Sequence, residues 1–215
     1  MNKQEQLKIV WISYVISVAI SFILNYLKFN IINADSIFSA IKVSSILTIW
    51  WGFYFNIGWK IEPLNKILYR INLNGTWYGT YKSVDPKTKN IYEGEIIVRI
   101  KQSFLTLSVT SYTEKYKNYS HSEVLKYDEK SETYGLVYVY SQKENDPLDL
   151  NARNGTSELT VTYDNNDYEL SGEFWTILGS RGKMNLTRIS GKTVNSFIMG
   201  KELYDEYEKK KEVIS

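Results

Sequence analysis

The residues best equipped for chemistry gather in the stretch Leu170-Ser-Gly-Glu-Phe-Trp-Thr-Ile-Leu-Gly-Ser-Arg-Gly-Lys183. Phe174 and Trp175 close one extended run there, and Gly179, Ser180, Arg181, Gly182 and Lys183 make a glycine-punctuated basic hairpin. Glycines let backbone amides approach an anion, and arginine and lysine supply charge for a phosphate. It is not a Walker loop, because no helix and no Gly-Lys-Ser/Thr follows, and the same residues also read as an ordinary hairpin. A second set is phenolic. Tyr81, Tyr138, Tyr140 and Tyr112 are candidates to line a cavity, where their rings stack on bases and their hydroxyls donate hydrogen bonds. Arg99 alternates with Ile96, Val98 and Ile100. It enters the cavity if that apolar face packs outward and is a solvated charge if the face packs inward. The expected ligand-binding set is therefore Tyr81, Arg99, Tyr138, Tyr140, Trp175, Arg181 and Lys183.

Several chemistries are poorly served. The chain has no cysteine, so it has neither a thiolate nucleophile nor a disulfide framework. His121 is the only histidine and has no carboxylate at useful spacing, which argues against a general base. No spacing of metal ligands stands out. The expectation is a protein without catalytic residues, metal or cofactor. A net charge of +2 is too small to argue for a nucleic-acid polymer as partner.

The elements that must position these residues are mostly strands. From Leu73 to Ile189, short runs rich in Tyr, Thr, Val and Ile alternate with turn residues. The runs are Leu73–Lys82, Ile91–Gln102, Phe104–Thr113, Tyr119–Glu129, Thr133–Gln142, Ser157–Tyr163, Asp167–Thr176 and Gly182–Ile189. A turn follows at Asp85-Pro86-Lys87-Thr88, a loop surrounds Pro147, and an Asp-Asn-Asn-Asp turn precedes the seventh run. Eight strands joined mostly by tight turns predict an up-and-down antiparallel barrel, which removes exposed edges. The first strand opens with Gly75-x-Trp77-x-Gly79, leaving room for a large ring on the barrel floor. Arg188 on the last strand neighbours Trp77 in a closed barrel and can stack on it. Such a pair is a structural clasp in lipocalin-like barrels. Ser196–Val213 reads as a short C-terminal helix with ion pairs four residues apart.

The N-terminal region has another texture. Ile9–Leu27 carries no charge, and Ile37–Trp59 carries only Lys42. Each is long enough to cross a bilayer of about 30 Å. Trp50, Trp51, Tyr54 and Trp59 crowd the end of the second, as an interfacial aromatic belt would. Lys3 and Lys8 precede the pair, and Lys60, Lys66 and Arg70 follow it. The positive-inside rule then places both termini in the cytoplasm. The expected organisation is a two-helix transmembrane hairpin (1–60), a connector (61–72), a cytoplasmic eight-stranded antiparallel lipocalin-like β-barrel (73–192) and a C-terminal helix or tail (193–215).

Gly-Thr-Trp-Tyr-Gly at the start of the barrel and Gly-Glu-Phe-Trp…Gly-Ser-Arg-Gly-Lys-Met-Asn-Leu-Thr-Arg at its end follow the two apolar segments. Together they resemble the CD-NTase-associated two-transmembrane β-barrel effectors of cyclic-oligonucleotide-based anti-phage systems (CBASS). The resemblance implies that a phage-activated nucleotidyltransferase makes a cyclic dinucleotide, which the barrel binds. It implies further that the protein oligomerises and disrupts the inner membrane, killing the infected cell. The competing expectation is a membrane-tethered barrel that holds a lipid or other apolar ligand without killing. A cavity free of Arg and Lys would favour that second reading.

Overall fold

A computed structural model describes residues 3–31, 36–68, 70–128, 130–143, 154–164 and 167–214. The loop with Asp35, the turn around Pro147 and Asn165–Asn166 lie outside them. The chain divides into two compact units. The first holds 1–72 with 103–105, and the second holds 73–102 with 106–215.

In the first unit, α1 spans Lys3–Ile31 and α2 spans Ser36–Asn56. Two short 3-10 turns follow, at Gly58–Lys60 and Leu64–Lys66. Among the described residues no helix is long and apolar enough to cross a membrane. This overturns the expected transmembrane hairpin and, with it, the multi-pass inner-membrane location. The polar opening Lys3-Gln4-Glu5-Gln6 and the hydroxyls of Ser13, Ser17, Ser21, Ser44, Ser45 and Thr48 dilute both segments. A count of charges alone does not register that dilution.

The expected aromatic belt is also something else. Tyr54 and Trp59 are fully buried with Leu68 and Phe104, and Ile9, Ile12, Trp50, Trp51 and Phe55 pack against them. Phe55 stacks on Phe104 with ring centroids 5.0 Å apart. Trp51 Nε1 donates to Ser13 Oγ at 2.9 Å, joining α2 to α1. These rings form a protein core of their own, in which aromatic area is buried against aromatic area.

The second unit is a closed antiparallel barrel of eight strands in sequential order. The strands are β1 Gly75–Val84, β2 Ile91–Gln102, β3 Leu107–Tyr112, β4 Lys117–Asp128, β5 Thr133–Lys143, β6 Gly155–Asp164, β7 Asp167–Thr176 and β8 Arg181–Ser190. β3 starts later than the sequence predicts, because Phe104 joins the core of the first unit. β1 pairs with β8 and closes the sheet. The expected C-terminal helix is α3, Phe197–Ile214, and it packs on the outer wall.

Register assigns the faces. Trp77 stands opposite Val98 and Arg188, so those positions and every second residue from them point inward. The buried interior includes Trp77, Ile96, Val98, Ile100, Val109, Leu136, Leu159, Val161, Leu170, Met184 and Leu186. At the end where β1 begins, Leu73 and Trp77 are fully buried and form a floor. The hairpin turns β1–β2, β3–β4 and β7–β8 surround the opposite end, the mouth.

Candidate functional site at the barrel mouth

Four aromatic side chains line the inner wall toward the mouth: Tyr81 on β1, Tyr138 and Tyr140 on β5, and Phe174 on β7. Tyr81 and Phe174 are half-buried and meet edge to face at 6.4 Å. Tyr138 and Tyr140 are 6.0 Å apart and buried. Burial pushes the Tyr138 hydroxyl up to about 12, with the neighbouring Ser157 hydroxyl pulling the other way. Burial also raises Tyr140 strongly, and the proximity of Tyr138 adds to it. Both phenols are therefore neutral donors at physiological pH.

Glycines seat these rings. A Cβ on Gly155 would stand 2.5 Å from Tyr140 Oη, and one on Gly94 3.0 Å from the Tyr81 ring. A Cβ on Gly182 would meet the Phe174 ring at 2.5 Å. Each aromatic thus lies flat across a neighbouring strand at a position where any side chain would displace it. Among the inward polar groups, the buried Thr176 Oγ1 and Asn118 Oδ1 have no hydrogen-bond partner among the described residues. Asn118 Nδ2 donates to Ser111 Oγ at 3.0 Å. Such uncommitted groups are the kind a ligand satisfies.

The expected ligand-binding set splits in two. Tyr81, Tyr138 and Tyr140 face inward. Arg99, Trp175, Arg181 and Lys183 face outward. The apolar side of β2 packs inward, so Arg99 lies on the outer wall. There its Nη1 donates to the Val194 carbonyl at 3.3 Å and to Asn195 Oδ1, and its Nη2 donates to Thr110 Oγ1 at 3.0 Å. Arg99 therefore fastens the chain leading into α3. Lys183 lies 3.5 Å from Glu173 on the exposed surface. Trp175 is 41% exposed, while its neighbour Phe174 occupies the interior. Sequence reasoning missed Phe174, although the alternation Leu170, Gly172, Phe174 carries the signal. Gly155 and Gly182 were legible only through contacts across strands.

Charge reaches the mouth from its rim. Lys87 and Lys89 sit in the β1–β2 turn, Lys115 in the β3–β4 turn, and Arg181 starts β8. Asp85 and Glu114 are the acids of the same turns. Asp85 is occupied, since its Oδ1 accepts the Lys87 and Thr88 amides at 2.8 and 2.9 Å. Those amide bonds hold its carboxyl below the usual range. Among the described residues the rim turns thus carry more bases than acids around an aromatic well, a field that draws in an anion.

Residues 71–188, more than half of the chain, match the family model described as Cap15, cyclic dinucleotide receptor domain. The chain belongs to this family. No curated protein matches it. The matched span runs through the barrel and ends at Arg188 in β8, so the Cap15 domain coincides with the closed sheet and leaves α3 outside. Membership makes the barrel the cyclic dinucleotide receptor domain of a CBASS effector.

In this Cap15 barrel the floor is held by Trp77 and Arg188. Trp77 Nε1 donates to the Leu73 carbonyl at 3.0 Å, and Arg188 Nη2 donates to the Asn74 carbonyl. Burial lowers the Arg188 pKa. His121 occupies an irregularity in β4 and is exposed, with Ser141 Oγ 3.5 Å from its Nδ1.

Proposed function

We propose that the basic mouth of the barrel binds a cyclic dinucleotide made by a cognate CD-NTase, and that binding drives self-association through which the effector acts on the infected cell. In this reading the phosphates lie against Arg181, Lys87 and Lys89. A base stacks at Tyr81 and Phe174, with Tyr138 and Tyr140 lining the same interior. The coincidence of an aromatic-lined well and a basic rim at one end of the barrel carries the reading. Stacking contributes about 1–3 kcal/mol per base, and charge-assisted hydrogen bonds hold the phosphates. Ligand shifts assembly only by binding the assembled form more tightly. No catalytic step is part of this function. Nor is insertion of a spanning hairpin, since no described helix fits one.

One observation favours the apolar-ligand reading instead. Arg188 lies at the floor, and among the described residues no Arg or Lys points inward near the mouth. Titrating the full chain by calorimetry against a panel of cyclic dinucleotides decides between them. Micromolar or tighter binding of one member, weakened by salt, is expected. A folded chain that binds no member and takes up a fatty acid would establish the other reading.

A further inference from the structure

The helix α3 is fastened to the barrel along only part of its length. At its start, Gly200 lies against Ile97 so closely that a Cβ would come within 2.6 Å of that side chain. Phe197 and Leu203 pack on the cluster of Ile97, Tyr112 and Val194. Lys201 Nζ reaches Glu95 Oε1 at 2.7 Å, and the Tyr204 ring stacks on Tyr78 with centroids 3.6 Å apart. One turn further on, the helix stands off the wall. Tyr204, Tyr207, Glu208 and Lys211 lie on one helical face and roof a cavity of about 250 Å³.

The floor of this cavity is the outer face of β7, β8 and β1. Two cross-strand rows make it: Thr80–Asn185–Ser171 and Tyr78–Thr187–Glu169. Both rows alternate with the inward positions, so all six side chains present outward. A helix that merely packs on a sheet buries apolar area beneath it, as α3 does over Ile97. Here the roof is phenols and charges, and the floor is hydroxyls, a carboxamide and the Glu169 carboxylate, with Ile189 as a buried apolar side chain that also lines it. No intramolecular hydrogen bond engages the side chains of Thr80, Ser171, Asn185 or Thr187 among the described residues.

From this we infer that the cleft between α3 and the barrel wall is a second binding site, for an uncharged nucleoside. Its volume admits a ligand of that size. A base stacks on the Tyr207 ring, beside the stacked Tyr204, in exchange for contacts that ring already makes, the Lys211 Nζ over it among them. Asn185 offers paired donor and acceptor to a base edge, and Thr80, Thr187 and Ser171 offer hydroxyls to a ribose. Glu169 and Glu208 outnumber Lys211, whose Nζ lies over the Tyr207 ring at 5.9 Å. That acidic balance rejects phosphates, the opposite of the basic mouth. A nucleoside held here bridges α3 to the wall and fixes the free half of the helix.

The test is calorimetric titration of the full chain with adenosine and with guanosine, repeated on Tyr207→Ala, Asn185→Ala and Thr187→Val. Saturable binding of at least one nucleoside is expected, weakened about tenfold or more by each substitution. Their cyclic dinucleotide isotherms should match the wild type, because none of these residues reaches the mouth. Absence of saturable binding of both nucleosides at millimolar concentration overturns the inference. Nucleoside binding indifferent to all three substitutions, or abolished by Phe174→Ala in the mouth, does so as well.

Discussion

Trp77 and Arg188 stand opposite each other across the β1–β8 seam, and each is tied to the segment that enters the barrel, Trp77 to the Leu73 carbonyl and Arg188 to that of Asn74. The pair closes the floor by holding one short piece of chain from two strands.

Removing either partner should therefore open the floor. Trp77→Ala leaves a cavity in a fully buried site and should cost about 3–5 kcal/mol. Arg188→Met keeps the apolar stem, loses the bond to Asn74, and should cost about 1–3 kcal/mol. Chemical denaturation of the two single variants and the double variant checks this. Because both bonds hold the same segment, the double variant should lose less than the two costs combined.

The glycine seats predict a loss from adding a single methyl group. Gly155→Ala places its Cβ within 2.6 Å of both Tyr140 Oη and the Trp175 carbonyl. Overpacking of this kind costs about 1–3 kcal/mol. Thermal melts should show the loss, and Tyr140→Ala in the same chain should relieve part of it.

Alkaline pH should weaken the fold through Tyr138. Its hydroxyl is raised from 10.0 to about 12 by burial, so the unfolded chain releases this proton first. The contribution of Tyr138 is constant below pH 10 and is lost as the pH rises toward about 12. The loss is roughly 2–3 kcal/mol over that window. Denaturation curves across the window should show this slope reduced in Tyr138→Phe.

The two arginines singled out by the sequence should separate in function. Arg181→Ala removes a rim charge and should weaken cyclic dinucleotide binding about tenfold while flattening its salt dependence. Arg99→Ala leaves the mouth intact and loosens the segment before α3, at about 1–3 kcal/mol. Calorimetry against denaturation tells them apart. If Arg99→Ala abolished ligand binding at unchanged stability, the mouth assignment would fail.

Much of the barrel was legible because a strand that is wet on one side and dry on the other must alternate. Leu170, Gly172, Phe174 and Ile96, Val98, Ile100 display that period, and the turns at Asp85-Pro86 and Gly179 bound it. The candidate site was legible in its chemistry and less so in its geometry. Tyr81, Tyr138 and Tyr140 share a face because their parities agree through the register. Trp175 and Phe174 are adjacent, and adjacent residues on a strand always point apart, so naming one excluded the other. Without a register, nothing assigned Arg99 to the outer wall.

The N-terminal helices show where reading composition misleads. Segments poor in charge and rich in Trp and Tyr look like membrane spans, yet their aromatics bury themselves around Phe104, which lies some 50 residues further along the chain. That contact is long-range, and no local window contains it.

Alternation and turn chemistry are local properties, so the sequence by itself determined that there are eight strands, in sequential antiparallel order, with Trp77 and Arg188 at the seam. Only the tertiary structure decided which alternating face became the interior, which charges reached the mouth, and that α3 roofs a cleft. Those outcomes depend on closure of the sheet, because one shift in register would turn every side chain to the other face.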